Sequence, residues 1–246
     1  MSRPMKILLG AVVLVLAALG IAQIVLPILA AKALRAKVAR YGEVEAATVS
    51  ATPAIELLWG SAGSAEVKAG RLAISPEQIV ELLLESRSVS DLSVSARSVE
   101  VLDPGFGAKP LVVTDVKLSK RGSVISASAL LSRRHLGAAL PVGLEAEVLE
   151  DAKGGVAIRA KSDLLGFNAH IDGLISPSEG RVRLSANHPL LAGLGKVTLF
   201  ANPKVHVTSL SAQPEQRSGN GGPAGGSRNG AAGVSSWRLS VEAELR

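Results

Sequence analysis

Side chains that could support acid–base or metal chemistry are present, but they form no recognisable motif. The chain has four widely separated histidines: His135, His170, His188 and His206. None has a second ligand at the short spacing typical of zinc sites. Glu145/Glu147 and Glu242/Glu244 are pairs of carboxylates two residues apart. Residues two apart on a strand share one face, so these pairs predict an ordinary solvated face.

Nucleophiles and phosphate-binding loops are also missing as motifs. There is no Cys, which excludes thiolate chemistry and disulfides. The Gly60–Gly63 segment lacks the G-x-S-x-G spacing of a nucleophile elbow. We therefore predict that the protein is not an enzyme and that it uses no metal and no cofactor. The enzymatic alternative, a hydrolase or transferase acting on lipid-linked substrates, needs a cleft that gathers distant polar residues such as His135, Asp163 or Asp172.

The net charge of +6 comes from the N-terminal region. Of 27 Lys and Arg residues, six lie within residues 1–40, where no acidic residue occurs, so the remaining 21 balance the 21 acidic residues. A duplex-binding domain needs a net basic face, and single-strand binding commonly uses aromatic platforms. Aromatic residues make up only 2% of this chain. We predict no nucleic-acid partner.

The N-terminal segment predicts export. No charged residue occurs from Ile7 to Ala31, and a helix of that length would cross a hydrocarbon core of about 30 Å. Residues 1–31 are therefore interpreted either as a signal peptide, with Gly20-Ile21-Ala22 as the cleavage site, or as a retained membrane anchor. Both interpretations place the body in the periplasm or cell envelope. One observation points the other way. Four basic residues follow the apolar run and two precede it, so for a retained anchor the positive-inside rule favours a cytoplasmic body. Export is still expected, because the four basic residues are spread over an apparent helix.

An amphipathic helix is predicted from Gln23 to Tyr41. Its apolar residues recur at spacings of three and four, and Gly42 follows where a helix commonly ends. Four basic residues lie mainly off the apolar face: Lys32, Arg35, Lys37 and Arg40. The helix is expected either to pack on a sheet with these charges in solvent or to place them on an anionic lipid surface. The two interpretations are compatible.

The body, residues 32–246, reads as an α+β domain dominated by strands. Apolar and polar residues alternate in many runs, most clearly in the last one, Trp237–Arg246. Short turns such as Lys120-Arg121-Gly122 join the runs, which predicts about ten strands in one large, curved, mainly antiparallel sheet. Two short helices are expected, one started by the Ser75-Pro76-Glu77-Gln78 capping box and one capped by Ser132. Residues 213–234 are Gly-rich and are interpreted as a flexible insertion between two strands.

The segment Pro53–Gly60 places a bulky apolar cluster between two strand-like stretches. One interpretation is a short buried helix. The other is an apolar tip whose Trp59 lies at a membrane interface, where indole rings concentrate.

A family resemblance is carried by the opening pattern of the body. The pattern is Leu26-Pro27-x-Leu29-Ala30, a basic helix ending Arg40-Tyr41-Gly42, a strand, and Pro53-Ala54-x-Glu56-Leu57-Leu58-Trp59-Gly60. It resembles the LmeA-like phospholipid-binding family of actinobacterial envelope proteins and covers most of residues 24–246 in element order. The resemblance implies binding of phospholipids, including phosphoinositides, and a role in building envelope lipoglycans. It supplies no catalytic residues.

Together these features predict a non-enzymatic protein that binds membrane phospholipids in an apolar groove at the extracytoplasmic face of the membrane. Seven residues are expected to line or gate the groove: Leu34, Val38, Tyr41, Ile55, Leu57, Leu58 and Trp59. Four are expected to face headgroups or the membrane surface: Lys32, Arg35, Lys37 and Arg40. The alternative is a structural or scaffolding envelope domain with a closed core that binds a protein partner.

Overall fold

The computed structural model describes residues 3–103, 109–140, 144–152, 154–164, 167–186, 197–215 and 236–246, with the side chains of the first helix described from Gly20 onward. Among these residues, the α-helices are α1 (Arg3–Val38), α2 (Pro76–Glu85) and α3 (Arg133–Ala139). Short 3₁₀ helices cover Ala39–Tyr41, Ala54–Trp59 and Ser86–Ser88. The strands are β1 (Gly42–Ser50), β2 (Ala62–Ile74), β3 (Val89–Val101), β4 (Leu111–Arg121), β5 (Val124–Ser132), β6 (Leu144–Ala152), β7 (Gly155–Leu164), β8 (Phe167–Ser178), β9 (Arg181–Ala186), β10 (Val197–Phe200), β11 (Val205–Pro214) and β12 (Ser236–Leu245).

The predicted α+β class and the mainly antiparallel pairing of the strands are confirmed, but the prediction that all strands share one sheet is wrong. The strands form a seven-stranded sheet in the order β1-β2-β3-β4-β5-β12-β11 and a five-stranded sheet in the order β10-β9-β8-β7-β6. The larger sheet is mixed, because β2 and β3 pair in parallel. Two parallel neighbours need a crossover connection, and α2 supplies it. This crossover places α2 on the sheet face that α1 also covers, so the topology creates the space between them.

Local sequence signals explain where α2 begins and where the first helical segment ends. The Oγ of Ser75 accepts a hydrogen bond from the backbone N–H of Gln78 at 3.4 Å, and the Oε1 of Gln78 accepts one from the backbone N–H of Ser75 at 2.9 Å. This is the predicted capping box. At the other helix, the 3₁₀ turn after α1 ends at Gly42, whose φ is +150°. A Cβ at Gly42 would lie 2.1 Å from the carbonyl oxygen of Arg71, so the chain can reverse into β1 only with glycine here.

The second short helix forms where the sequence placed it, and the two strands that flank the Gly-rich segment pair with each other. Ser132 caps α3 by accepting a hydrogen bond from the N–H of His135 at 3.2 Å. Strands β11 and β12, which flank the Gly-rich segment, are antiparallel neighbours, with Pro214 opposite Trp237. The insertion therefore joins two paired strands, and β11 extends to Pro214, one residue past the predicted start of the insertion. Residues 216–235 lie outside the described residues.

The interior is divided into three apolar clusters on the covered face of the larger sheet. One cluster joins α2 to the β5, β11 and β12 end of that sheet, and a second joins the two sheets around the buried Trp237. The third packs Val38 and Tyr41 from the end of α1 against β2, β3 and Ile79 of α2. The larger sheet is thus buried on one face and solvated on the other, as alternation along its strands requires.

Candidate functional site

A cavity of about 600 Å³ lies between α1, α2 and the covered face of the larger sheet. This volume falls within the range of about 300–1,000 Å³ that is typical of small-molecule sites. Leu34 of α1 and Leu82 of α2 form its helical walls, and Leu57 and Gly60 close it beside the 3₁₀ helix Ala54–Trp59. The cavity is therefore bounded by elements that are far apart in the sequence.

Small side chains on the floor of the cavity keep its volume open. Ala62, Ala65 and Ala96 line it from β2 and β3, and each is buried in the structure. Because alanine ends at Cβ, these inward positions of the strands leave space that leucine or isoleucine would fill. Leu92, at an inward position of β3 beside Ala65, also lines the cavity. The alternation predicted from the sequence thus gives an apolar floor of uneven height.

One end of the cavity is closed by packed side chains. Val38 and Tyr41 of the first helical segment pack with Leu82 of α2 against Leu72 and Val99 of the sheet. All five also line the cavity, so they form both its end wall and part of the hydrophobic core. Two of the predicted groove residues, Val38 and Tyr41, therefore have a structural role that is independent of any ligand.

Among the residues described as lining the cavity, Lys37 and Glu85 are the charged ones. The Lys37 ammonium on α1 forms an ion pair with the Glu85 carboxylate at the end of α2, and both side chains are partly exposed. Next to them, the Oγ of Ser86 donates a hydrogen bond to the carbonyl oxygen of Leu83 at 2.7 Å, so this hydroxyl is already used by the protein. The cavity thus has an apolar interior and one charged pair at its boundary.

The predicted groove residues divide into two groups. Leu34, Val38, Tyr41 and Leu57 line the cavity, whereas Ile55, Leu58 and Trp59 do not. The segment Ala54–Trp59 is a 3₁₀ helix in which Ala54 is buried, but Leu58 is 65% exposed and Trp59 is 73% exposed. The interpretation of this segment as a buried helix is therefore wrong for its last two residues, and the apolar-tip interpretation describes their geometry.

The four predicted headgroup cations have different surroundings. Lys32 and Arg40 are exposed, and Arg40 donates from Nε to the carbonyl oxygen of Lys37 at 3.4 Å. Arg35 donates from Nη2 to the carbonyl oxygen of Val44 at 3.1 Å, which ties α1 to β1. Only Lys37 of these four borders the cavity. The other three lie outside it, on or near the surface of the helix.

A buried cation that was not predicted from the sequence lies next to the cavity. Lys120, which was assigned to a hairpin turn, is an inward residue of β4 that is 1% exposed, and the turn begins at Gly122 instead. Its ammonium donates to the carbonyl oxygens of Ser86 at 2.9 Å and of Val89. Burial lowers the pKa of Lys120, and the nearby Asp91 carboxylate partly offsets this shift. The alternation along β4 indicates this burial, because Lys120 falls on the same face of the strand as Val116 and Leu118.

The residues considered for an enzymatic cleft are not brought together in the described part of the chain. His135 lies on α3, while Asp172 on β8 forms an ion pair with Arg159, with Nε 2.7 Å from Oδ1. The side chain of Asp163 lies outside the described residues. Within the residues that the structure describes, no group of three His, Cys, Asp or Glu side chains is placed to hold a metal ion.

Comparison with known proteins gave no relative. No protein-family model, curated protein or solved structure matches this chain. The resemblance to the LmeA-like family therefore stays a prediction.

The described residues contain no helix that is both long and apolar enough to cross a membrane. The predicted leader or anchor, residues 1–31, falls largely on residues 1–19, whose side chains lie outside the described set.

Proposed function

We propose that this protein binds a membrane phospholipid without catalysis, with acyl-chain carbons in the cavity and the headgroup at its boundary. The observation that carries the proposal is the 600 Å³ cavity, whose described lining is apolar except for the Lys37–Glu85 ion pair and the hydroxyl-bearing Ser86 and Tyr41. The proposed setting is the extracytoplasmic face of the membrane, where such binding would support assembly of envelope lipids or lipoglycans. The scaffolding alternative expects a closed interior, so the cavity favours lipid binding over it.

The energetics of hydrocarbon burial support this ligand class. Each methylene removed from water contributes about 0.8 kcal/mol, so ten buried methylenes contribute about 8 kcal/mol. Association itself costs about 4–15 kcal/mol, so a net affinity requires a long chain rather than a short one. A lining of Ala, Val, Leu and Ile side chains offers few directional contacts and suits a flexible chain whose conformation varies.

The charged pair suggests the sign of the headgroup. Lys37 borders the cavity, and the exposed Lys32 and Arg40 lie on the same helical segment. An anionic phosphate at the boundary could contact Lys37, but it would have to compete with the Glu85 carboxylate that now pairs with Lys37. A negatively charged phospholipid is therefore the proposed ligand, and phosphatidylinositol is one member of that class.

The two partners of this pair should affect binding in opposite directions. Lys37→Met should weaken binding of phosphatidylinositol, because it removes the cation at the boundary. Glu85→Gln should strengthen binding, because it frees Lys37 from its competitor. Partly exposed pairs contribute about 0.2–1 kcal/mol, so each change should be up to about fivefold. Equilibrium binding of the full chain, measured with phosphatidylinositol in mixed micelles, checks both directions, and identical shifts for the two variants would remove Lys37 from the headgroup site.

Native mass spectrometry of the full chain tests the proposed function itself. The protein is released from mild detergent after incubation with phosphatidylinositol or with phosphatidylcholine. We expect a one-to-one lipid adduct that persists at activation energies which remove detergent, with phosphatidylinositol in excess when both lipids compete. Absence of any retained lipid under these conditions would contradict the proposal.

A further inference from the structure

Large apolar side chains are concentrated on the surface where α1 meets the 3₁₀ helix Ala54–Trp59. The exposed fractions range from 42% at Val25 to 73% at Trp59. We define the apolar rim as these residues: Ile21, Ile24, Val25, Ile28, Leu29, Leu58 and Trp59. The Oε1 of Gln23 accepts a hydrogen bond from the backbone N–H of Ala54 at 2.8 Å, which holds the two parts of the rim together. Large exposed apolar side chains gathered on two elements that contact each other are typical of an interaction site.

The cations near the apolar rim and the exposed indole within it indicate an anionic bilayer as its partner. Four cations follow the rim along the same helical segment, and no acidic residue occurs in residues 1–42. Five of the seven rim residues lie within the uncharged sequence stretch Ile7–Ala31. Trp59 adds an exposed indole, a group that prefers the boundary between headgroups and acyl chains. Each Lys or Arg close to an anionic lipid surface contributes about 1 kcal/mol, so the four cations favour an anionic bilayer.

The rim adjoins the cavity through shared elements. In the 3₁₀ helix, Leu57 lines the cavity while its neighbours Leu58 and Trp59 face solvent. In α1, Leu29 is exposed and the next residue, Ala30, lines the cavity. A bilayer in contact with the rim would therefore lie at the edge of the cavity.

We propose that the apolar rim docks on an anionic phospholipid bilayer and places the edge of the cavity against the hydrocarbon, so that an acyl chain enters without crossing bulk water. This inference rests on the proposed function for the identity of the cargo. Docking itself has a separate observable, because Trp59 lies in the rim and the other tryptophan, Trp237, is 2% exposed.

Quenching of Trp59 fluorescence by brominated phospholipids tests docking. The full chain is reconstituted in vesicles of phosphatidylglycerol and phosphatidylcholine whose acyl chains carry bromine near the headgroup. The Trp59→Phe variant gives the signal of Trp237 alone. As a matched control, Leu102→Trp in the Trp59→Phe background places an exposed indole past the far end of β3, about 40 Å along the strand. We expect at least twofold quenching of Trp59 and little quenching of Trp237 or of the indole introduced by Leu102→Trp. High salt should reduce the quenching of Trp59.

The outcomes separate docking from cargo binding. Quenching of Trp59 without a lipid adduct in the mass spectrum would support docking and contradict the proposed function. A lipid adduct without quenching of Trp59 would overturn docking and leave the proposed function standing. Equal quenching of Trp59 and of the Leu102→Trp control would also overturn docking by the rim. Shielding of Trp59 in a dimer of the chain, and not by lipid, would overturn docking as well.

Discussion

The Leu92→Trp variant should lose at least about tenfold of its affinity for phospholipid while keeping its fold. Leu92 lines the cavity from the inward face of β3, so a larger indole can extend into existing empty space. Loss of two methylenes of buried acyl chain costs about 1.6 kcal/mol, which is roughly a tenfold change in the dissociation constant. The added volume should destabilise the fold by less than the 1–3 kcal/mol typical of overpacking, because the site is not filled.

The neighbouring residue provides a matched control. Ser93 lies next to Leu92 on β3 but is exposed on the opposite face of the sheet. Ser93→Trp therefore adds an indole at almost the same place in the sequence without entering the cavity. Native mass spectrometry and urea denaturation of both variants compare lipid retention and the free energy of unfolding. Equal retention by both variants would mean that the lipid is not held where the structure has its cavity.

The Lys120→Met variant should lower the free energy of unfolding by about 2–4 kcal/mol. Methionine has a similar length but cannot donate to the carbonyl oxygens of Ser86 and Val89. Hydrogen bonds from a charged donor contribute about 1.5–3 kcal/mol each, and removal of the buried ammonium offsets part of their loss. Ser86 and Val89 also line the cavity, so the variant should loosen its wall at the end of α2. The melting temperature should fall by about 4–16 °C for a domain of this size.

The pH dependence of this difference has a definite sign. The pKa of Lys120 is lowered by burial, so between that lowered pKa and 10.5 the unfolded chain binds more protons than the folded chain. The contribution of Lys120 to stability should therefore rise with pH in this window, and Lys120→Met should abolish the rise. Lys117→Met is the matched control, because Lys117 lies on the same strand but is exposed beside Asp115. Equal destabilisation by both changes would show that burial of Lys120 has no special role.

Features set by neighbouring residues could be predicted from the sequence. The capping box of α2 needs only Ser75 and Gln78, and it forms as expected. The end of the first helical segment at Gly42 follows from a backbone conformation that glycine adopts readily. Alternation in Trp237–Leu245 gave a strand because period two is a local property.

Features that depend on distant pairing could not be predicted in this way. Alternation in β2 and β3 does not reveal that the two strands pair in parallel, or that β6–β10 form a second sheet. The same limit applies to the site. The lining positions Leu34 and Leu57 were expected, but the alanines of the floor and the burial of Lys120 depend on which elements cover the sheet. Exposure of Trp59 likewise depends on how its 3₁₀ helix meets α1.

Photo-crosslinking with a phospholipid that carries a diazirine in its acyl chain shows directly whether that chain occupies the cavity. The full chain is irradiated with this lipid in anionic vesicles, and the labelled residues are mapped by peptide mass spectrometry. Docking alone predicts labels on the apolar rim, whereas a chain inside the cavity also labels its walls at Leu34, Leu72 and Leu92. An acyl chain in the cavity should label all three residues. In the Leu92→Trp variant, the labels on Leu34 and Leu72 should be lost. Labels confined to the rim and the N-terminal segment would contradict binding of the acyl chain in the cavity.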